Sequence, residues 1–268
     1  MRHRVFLTVL ALLLAGQSDS RSESLAAKDV ESAVFMETIA MPTPGEFFIA
    51  LGKQCQPNWA KLLKSSTPPT TTDRERMALQ LGVFVADGFI AIEAQDGQGV
   101  KNTGRDILAI TKKLNVSQHI IARSQSISDF AEESDWNTLR EELDATQNDV
   151  RLALLEQNDN ALVVLTMTGS WMRQMDVAAQ LLAEDYKPGP SALLVQPAIA
   201  THLINRIDAL PDKTRNLPLV VGLRDGLDSA RTHMLKGSAY NLSAAAVKEL
   251  SATMSSLIAG TAEPSEKK

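Results

Sequence analysis

Cysteine is almost absent: Cys55 is the only one in 268 residues. With no second thiol an intramolecular disulfide is impossible, so the fold must rest on its apolar core. Aromatic residues make up 4% of the chain, and no run alternates apolar and polar residues with period two between turn signals. Little is left from which to build a sheet; the stretches 193–195 and 217–223 are β-tolerant but short. The net charge is −5 and no Lys/Arg cluster occurs, which speaks against a nucleic-acid partner, whose phosphates need concentrated positive charge. There is no Gly-x-Ser-x-Gly elbow and no phosphate loop. His119, His202 and His233 stand alone, without metal-ligand spacing to another His or Cys, so no metal is expected. Gly97-Gln98-Gly99 followed by Gly104 does not follow a strand and makes a poor dinucleotide fingerprint. Cys55 has no His near it in sequence and is a poor nucleophile candidate. Uninterrupted apolar runs of membrane-spanning length are missing as well. The two most apolar stretches are broken by Asp87 and by Arg173 with Asp176, which are costly at bilayer depth.

What is present begins at residues 1–17. Arg2 and Arg4 precede an uncharged apolar run, 5–14, which is followed by Ala15-Gly16. That is the layout of a secretory signal peptide, and the run is too short for a permanent bilayer helix. Leu14-Ala15-Gly16 is also how a bacterial lipoprotein signal ends, but Gln17 stands where the acylated cysteine would be. No lipid anchor is therefore expected. Cleavage removes two arginines and no acid, taking the formal charge from −5 to −7. The expectation is a periplasmic or secreted protein with a polar segment at 18–24, a single helical domain at 25–260 and a disordered tail at 261–268.

Within that domain the periodicity is helical nearly throughout. A short amphipathic stretch covers 25–39. Thr43-Pro44-Gly45-Glu46 reads as a capping box with proline at the first helical position, opening a helix that ends before Pro57. The linker 65–71, with Pro68-Pro69, breaks the chain. Thr72 and Glu75 read as a second capping box, opening a long helix to about residue 95. Residues 97–104 read as a glycine-containing turn, and helices are expected at 106–114 and 117–132. Trp136, Leu139, Leu143, Thr146, Val150 and Ala153 recur in steps of three and four and form one face. Further helices are expected at 161–183, 192–209, 219–234 and 243–258, with Gly260 as the final C-cap.

Two of these helices look central. Thirteen of the eighteen residues in 77–94 are apolar, and 161–172 carries no charge. Helices that are apolar all round must be covered on several sides, so these two form a hub around which the amphipathic helices pack. Gly82, Gly88, Gly169 and Ser170 lie inside them, where glycine costs about 1 kcal/mol relative to alanine and is retained for close packing or for ligand space. The fold class is all-α: an irregular bundle of about eight to ten helices around two apolar central ones.

Asp87 is the sharpest single residue, because an ionised carboxylate within Val83-Phe84-Val85-Ala86-Asp87-Gly88-Phe89 must be paired or hydrogen-bonded. It is either a satisfied core group, bonded to an Arg, a Trp N–H or backbone groups, or the floor of a pocket. No second acid at i+3 or i+4 gives it a di-iron signature. Gly169-Ser170-Trp171, with Met167, Met172 and Met175, either lines an apolar pocket or fills an irregular core. A Trp171 N–H donated to Asp87 would account for both features. The candidate ligand-binding set is Asp87, Phe84, Gly169, Trp171 and Met175, and no residue is nominated as catalytic.

The order Met41-Pro42-Thr43-Pro44-Gly45-Glu46, then Leu81-Gly82-Val83-Phe84-Val85-Ala86-Asp87, then Gly169-Ser170-Trp171 resembles a family of exported helical bacterial proteins, many of them lipoproteins. Those proteins carry Pro-Ser-Pro-x-Glu, Leu-Gly-Val-Tyr-x-x-Asp and Gly-Gly-Trp segments. The resemblance covers roughly residues 41–182. It implies export and an all-helical fold, and no particular reaction. This chain departs from the pattern at Phe84, which stands for the tyrosine, at Ser170, which stands for the second glycine, and at Gln17. The functional expectation is a non-enzymatic exported protein that binds a small molecule or an envelope protein, with no cofactor. The alternatives are an unfamiliar enzyme using Asp87 as acid or base, and a purely structural envelope protein.

Overall fold

The computed structural model describes residues 41–63, 71–238 and 240–262. The expected leader 1–17, the polar segment 18–24, the stretch 25–39, most of the 65–71 linker and the tail from 263 onward lie outside these residues. The described part is all-α, and its one β-type pairing is an isolated bridge between Ser238 and Asn241. The β-tolerant stretch 217–223 lies mostly within a helix and 193–195 at the end of a 3-10 turn.

Helix α1, Pro44–Cys55, starts as its sequence requires. The Thr43 hydroxyl accepts from the Glu46 N–H at 3.2 Å, and the Thr43 N–H donates to the Glu46 carboxylate at 2.8 Å. The helix stops where Gln56 turns left-handed at φ 49°. It buries Phe47, Phe48 and Leu51. Gly45 is needed at the crossing, since a Cβ there would stand 2.9 Å from the Phe89 ring. Helix α2, Trp59–Leu62, is a single turn whose Trp59 packs edge-on against Phe48.

Helix α3, Arg74–Glu93, is buried at every position from Arg76 to Ile92. Its cap is Asp73, not Thr72: the Asp73 carboxylate accepts from the Arg76 N–H at 3.2 Å, and its own N–H is held by the Thr71 hydroxyl. The Thr72–Glu75 box is therefore absent, because the stronger acidic cap lies one residue later. Helix α4, Gly97–Lys113, corrects a second expectation, since 97–104 is helix and not turn. Asp96 caps it by accepting from the Gly99 N–H at 2.9 Å. Glycine at 97 serves packing, because a Cβ would lie 2.9 Å from the Ala131 carbonyl oxygen.

A 3-10 turn, Ser117–His119, leads to α5, Ile121–Glu133, and to α6, Trp136–Glu156, which buries Leu139, Leu143, Thr146, Val150 and Ala153 on one face as its periodicity predicts. Helix α7, Asn160–Glu184, follows. The single helix expected at 192–209 divides into a 3-10 turn, Pro190–Leu194, and α8, Pro197–Asp208. Pro197 has no N–H to continue the first piece and fits the first turn of the second. The remaining helices are α9, Asp212–Arg215, α10, Pro218–Leu235, and α11, Ala244–Ala262. Gly260 is inside α11 and does not cap it, and Thr261 and Ala262, expected in the tail, are helical. The helix continues because α3 supplies its missing donors: Arg76 donates to the Gly260 carbonyl and Gln80 to the Thr261 carbonyl.

Helices α3 and α7 pack directly on each other and form the hub. A Cβ on Gly82 would overlap the Thr166 carbonyl, and one on Gly169 would overlap the Leu79 carbonyl. Both glycines thus let two backbones touch. The helices run in the same direction, since Arg74 pairs with Asp159 at their beginnings (2.9 Å) and Asp87 meets Arg173 farther along. Helix α11 covers α7, α4 packs on α3, and α1 touches both hub helices. Among the described residues no helix is long and apolar enough to cross a membrane.

Candidate functional site

The hub carries a buried ionic network. Arg173 on α7 donates through Nε to Asp87 on α3 at 2.7 Å, through Nη1 to Asp176 at 2.7 Å, and through Nη2 to the Leu62 carbonyl at 2.8 Å. Asp176 also accepts from Ser255 of α11 at 2.8 Å and from Gln180. Asp87, Arg173 and Asp176 are 4%, 1% and 0% exposed. One guanidinium thus joins α3, α7 and α2, and its partner Asp176 extends the network to α11. The geometry makes Asp87 a satisfied core group and gives no support to an acid or base.

The other nominated residues are spread through the core. Gly169 is spent on the contact with Leu79 described above. Trp171 and Met175 are completely buried, and Phe84 is nearly so. The Trp171 N–H donates to the Gln196 side chain at 2.8 Å, not to Asp87. The expected Trp171–Asp87 bond is therefore not formed, because Asp87 already has the stronger, charged donor.

A cleft of about 310 Å³ opens elsewhere, between the 41–44 segment, α6 and α7. Met41, Pro42, Pro44 and Met167 give it an apolar part. Its polar part is unusual. Among the described residues, Asp144 Oδ1 and Gln147 Oε1 from α6, and Ser170 Oγ and Gln174 Oε1 from α7, are buried atoms without a hydrogen-bond partner. Ser170 and Gln174 are only 3% and 2% exposed. Each unpartnered buried polar group costs about 1–3 kcal/mol, and native folds keep few of them. Here four of the residues that carry one line the same cleft. None of Asp87, Phe84, Gly169, Trp171 and Met175 lines it.

The electrostatics of this cleft centre on Asp144. Half-buried on α6, it has its carboxyl pushed above the ordinary value first by burial and then by the neighbouring Glu46, while a hydrogen bond with Thr43 pulls it part of the way back. Its Oδ2 lies 3.7 Å from where a Gly45 Cβ would be, beside the first turn of α1. Helix N-termini favour negative charge, which helps to hold Asp144 there.

Part of this site was visible in the sequence. The 41–44 segment, Ser170 and Met167 all belong to motifs noted above, although for other reasons. The polar members were not visible. Asp144 and Gln147, and Ser170 and Gln174, stand at steps of three and four on their helices. That spacing would place each pair on one face, but which neighbour the face meets is decided by packing. No protein-family model, no curated protein and no solved structure matches the chain.

Proposed function

We propose that this chain is an exported binding protein, without catalysis of its own, whose small-molecule ligand occupies the cleft between the 41–44 segment, α6 and α7. The observation that carries the reading is the cleft itself, whose described walls include Asp144, Gln147, Ser170 and Gln174, four residues that each keep a buried side-chain oxygen without a hydrogen-bond partner. Water alone is a poor occupant to explain it. One water needs about 10–15 Å³, whereas the cleft falls at the lower end of the roughly 300–1,000 Å³ of small-molecule sites. In this reading Asp87, Phe84, Gly169, Trp171 and Met175 are the framework beneath the site. Export rests on the leader-like residues 1–17 and on the family resemblance. Intact-mass analysis of the envelope fraction checks it: a chain beginning near Ser18 without lipid is expected, and a mass retaining 1–17 removes export from the proposal.

The binding reading is tested by a thermal-shift screen of small molecules on the full chain and on Ser170→Ala and Gln174→Leu. Binding sites are held at some expense to the fold. Each substitution removes an unsatisfied atom, so the unliganded variants should melt at or above the wild-type temperature while losing the ligand-induced shift. Variants that melt well below wild type, with no compound shifting either protein, would show that the oxygens serve packing.

A further inference from the structure

We propose that the part of the ligand gripped by this cleft is a flexible aliphatic chain, lying lengthwise between α6 and α7 and reaching toward Leu155. This rests on the binding reading above and specifies the chemistry of the bound group.

The wall that the cleft presents is mainly apolar. Met41, Pro42 and Pro44 supply it from one side and Met167 from α7. The polar neighbours add little to that surface, because the unpartnered oxygens of Asp144, Gln147, Ser170 and Gln174 are themselves buried. A ligand therefore meets mostly carbon and thioether sulfur. The main drive such a wall offers is the removal of apolar surface from water. Methionine side chains re-shape around what they touch, which suits a chain that is itself flexible.

Helix geometry sets the direction. Three residues, 157–159, join α6 to α7, so the second helix doubles back along the first. Asp144, Asn148, Arg151 and Leu155 follow one another at steps of three and four, so Leu155 continues the face of α6 that lines the cleft. On α7 Val163 continues the face of Met167 and Ser170 in the same direction. The stretch from Asp144 to Leu155 is about 16 Å of helix. Arg151 is exposed and bonded to Asn148 at 3.0 Å; its stem can lie along apolar surface while the guanidinium stays in water. Beyond it Leu155 is 36% exposed, and a chain running past Arg151 covers it.

The test titrates the full chain with n-butanol, n-hexanol, n-octanol and triethylene glycol, following the Met41, Met167 and Met254 methyl signals by NMR. Each methylene taken fully out of water is worth about fourfold in affinity. Octanol should therefore bind at least tenfold more tightly than butanol, and at least tenfold more tightly than triethylene glycol, a polar chain of similar length. Met41 and Met167 should respond, and Met254, buried in α11, should not. Leu155→Ser should weaken octanol at least threefold and leave butanol within twofold, whereas Met167→Gln should weaken both. Leu155 is exposed, so its replacement keeps the test readable even where Met167→Gln does not fold. If triethylene glycol binds as well as octanol, if affinity does not rise with chain length, or if Met254 responds alike, the aliphatic assignment is overturned and the binding cleft stands. Octanol affinity unchanged in Leu155→Ser overturns the path along α6. If no alcohol moves the Met41 or Met167 signal, the aliphatic chain falls, and the thermal-shift screen by itself decides whether the cleft binds another class of molecule.

Discussion

Arg173 Nε lies 2.7 Å from Asp87 Oδ1, and the two residues come from the two helices that form the centre of the molecule. The same guanidinium is held by Asp176 and by the Leu62 carbonyl. Removing Asp87 leaves the guanidinium paired with Asp176 but strands its buried Nε donor, at a cost of about 1–3 kcal/mol. Asp87→Ala should lower unfolding stability by that order in urea titrations. Combining it with Arg173→Met should lower stability further, since the fully buried Asp176 carboxylate then loses its cation and keeps only the neutral donors Ser255 and Gln180. A single variant within about 0.5 kcal/mol of wild type would show that the network contributes nothing to the fold.

The glycines divide into two groups with opposite expected effects. Gly82→Ala and Gly169→Ala force a methyl into a facing carbonyl group, so the hub helices must separate. Each should cost more than about 2 kcal/mol, in the range of overpacked cores. Gly222 in α10 has nothing within 4 Å of its would-be Cβ. There Gly→Ala should be neutral or stabilise by up to about 1 kcal/mol through helix propensity. Thermal melts of the three variants would reveal an error in the hub geometry as a reversed order.

The cap of α3 can be assigned by a paired substitution. Asp73 accepts from the Arg76 N–H, whereas no bond of this kind involves Thr72. Asp73→Ala should cost about 1 kcal/mol, and Thr72→Ala should be close to neutral. Equal effects in chemical denaturation would return the cap to Thr72.

His202 gives the fold a pH dependence of known sign. Burial, and then the neighbouring Arg206, lower its folded value below the ordinary 6.5. The unfolded chain therefore takes up a proton first, and stability should fall as pH drops from about 6.5 through the folded value. Asp144 acts in the opposite sense: its raised folded value means that the cost of its charge is relieved as pH falls through that value. Melting curves from pH 7.5 to 5 should flatten in His202→Gln, and an unchanged slope would assign the dependence to other groups.

Much of the fold was legible because it depends on local rules. The Thr43–Glu46 box, the α6 stripe and the two all-round apolar helices each follow from spacing alone. Position 97 was misread because glycine means a turn when only the chain is seen, and the carbonyl of Ala131 that requires it comes from another helix. Gly260 failed as a cap for a similar reason: Arg76 and Gln80, remote in sequence, complete the end of α11. Asp87 announced that it needed a partner without naming Arg173. The oxygens of Gln147 and Gln174 give no signal of any kind in the sequence, because being unpartnered is a property of the assembled neighbourhood.

Because α3 and α7 point the same way, no tight turn can connect them, and the whole of 94–159 serves as the return path. The chain must close that loop before its central contact can form, which places the decisive step late and makes folding slower than in bundles of neighbouring hairpins. During synthesis α3 emerges first and waits for α7 while the intervening helices are made, on the order of several seconds at typical elongation rates. A largely apolar cylinder is exposed in that interval. The most vulnerable moment in the life of this protein therefore precedes its native state, and aggregation of the nascent chain is set by the surface of α3.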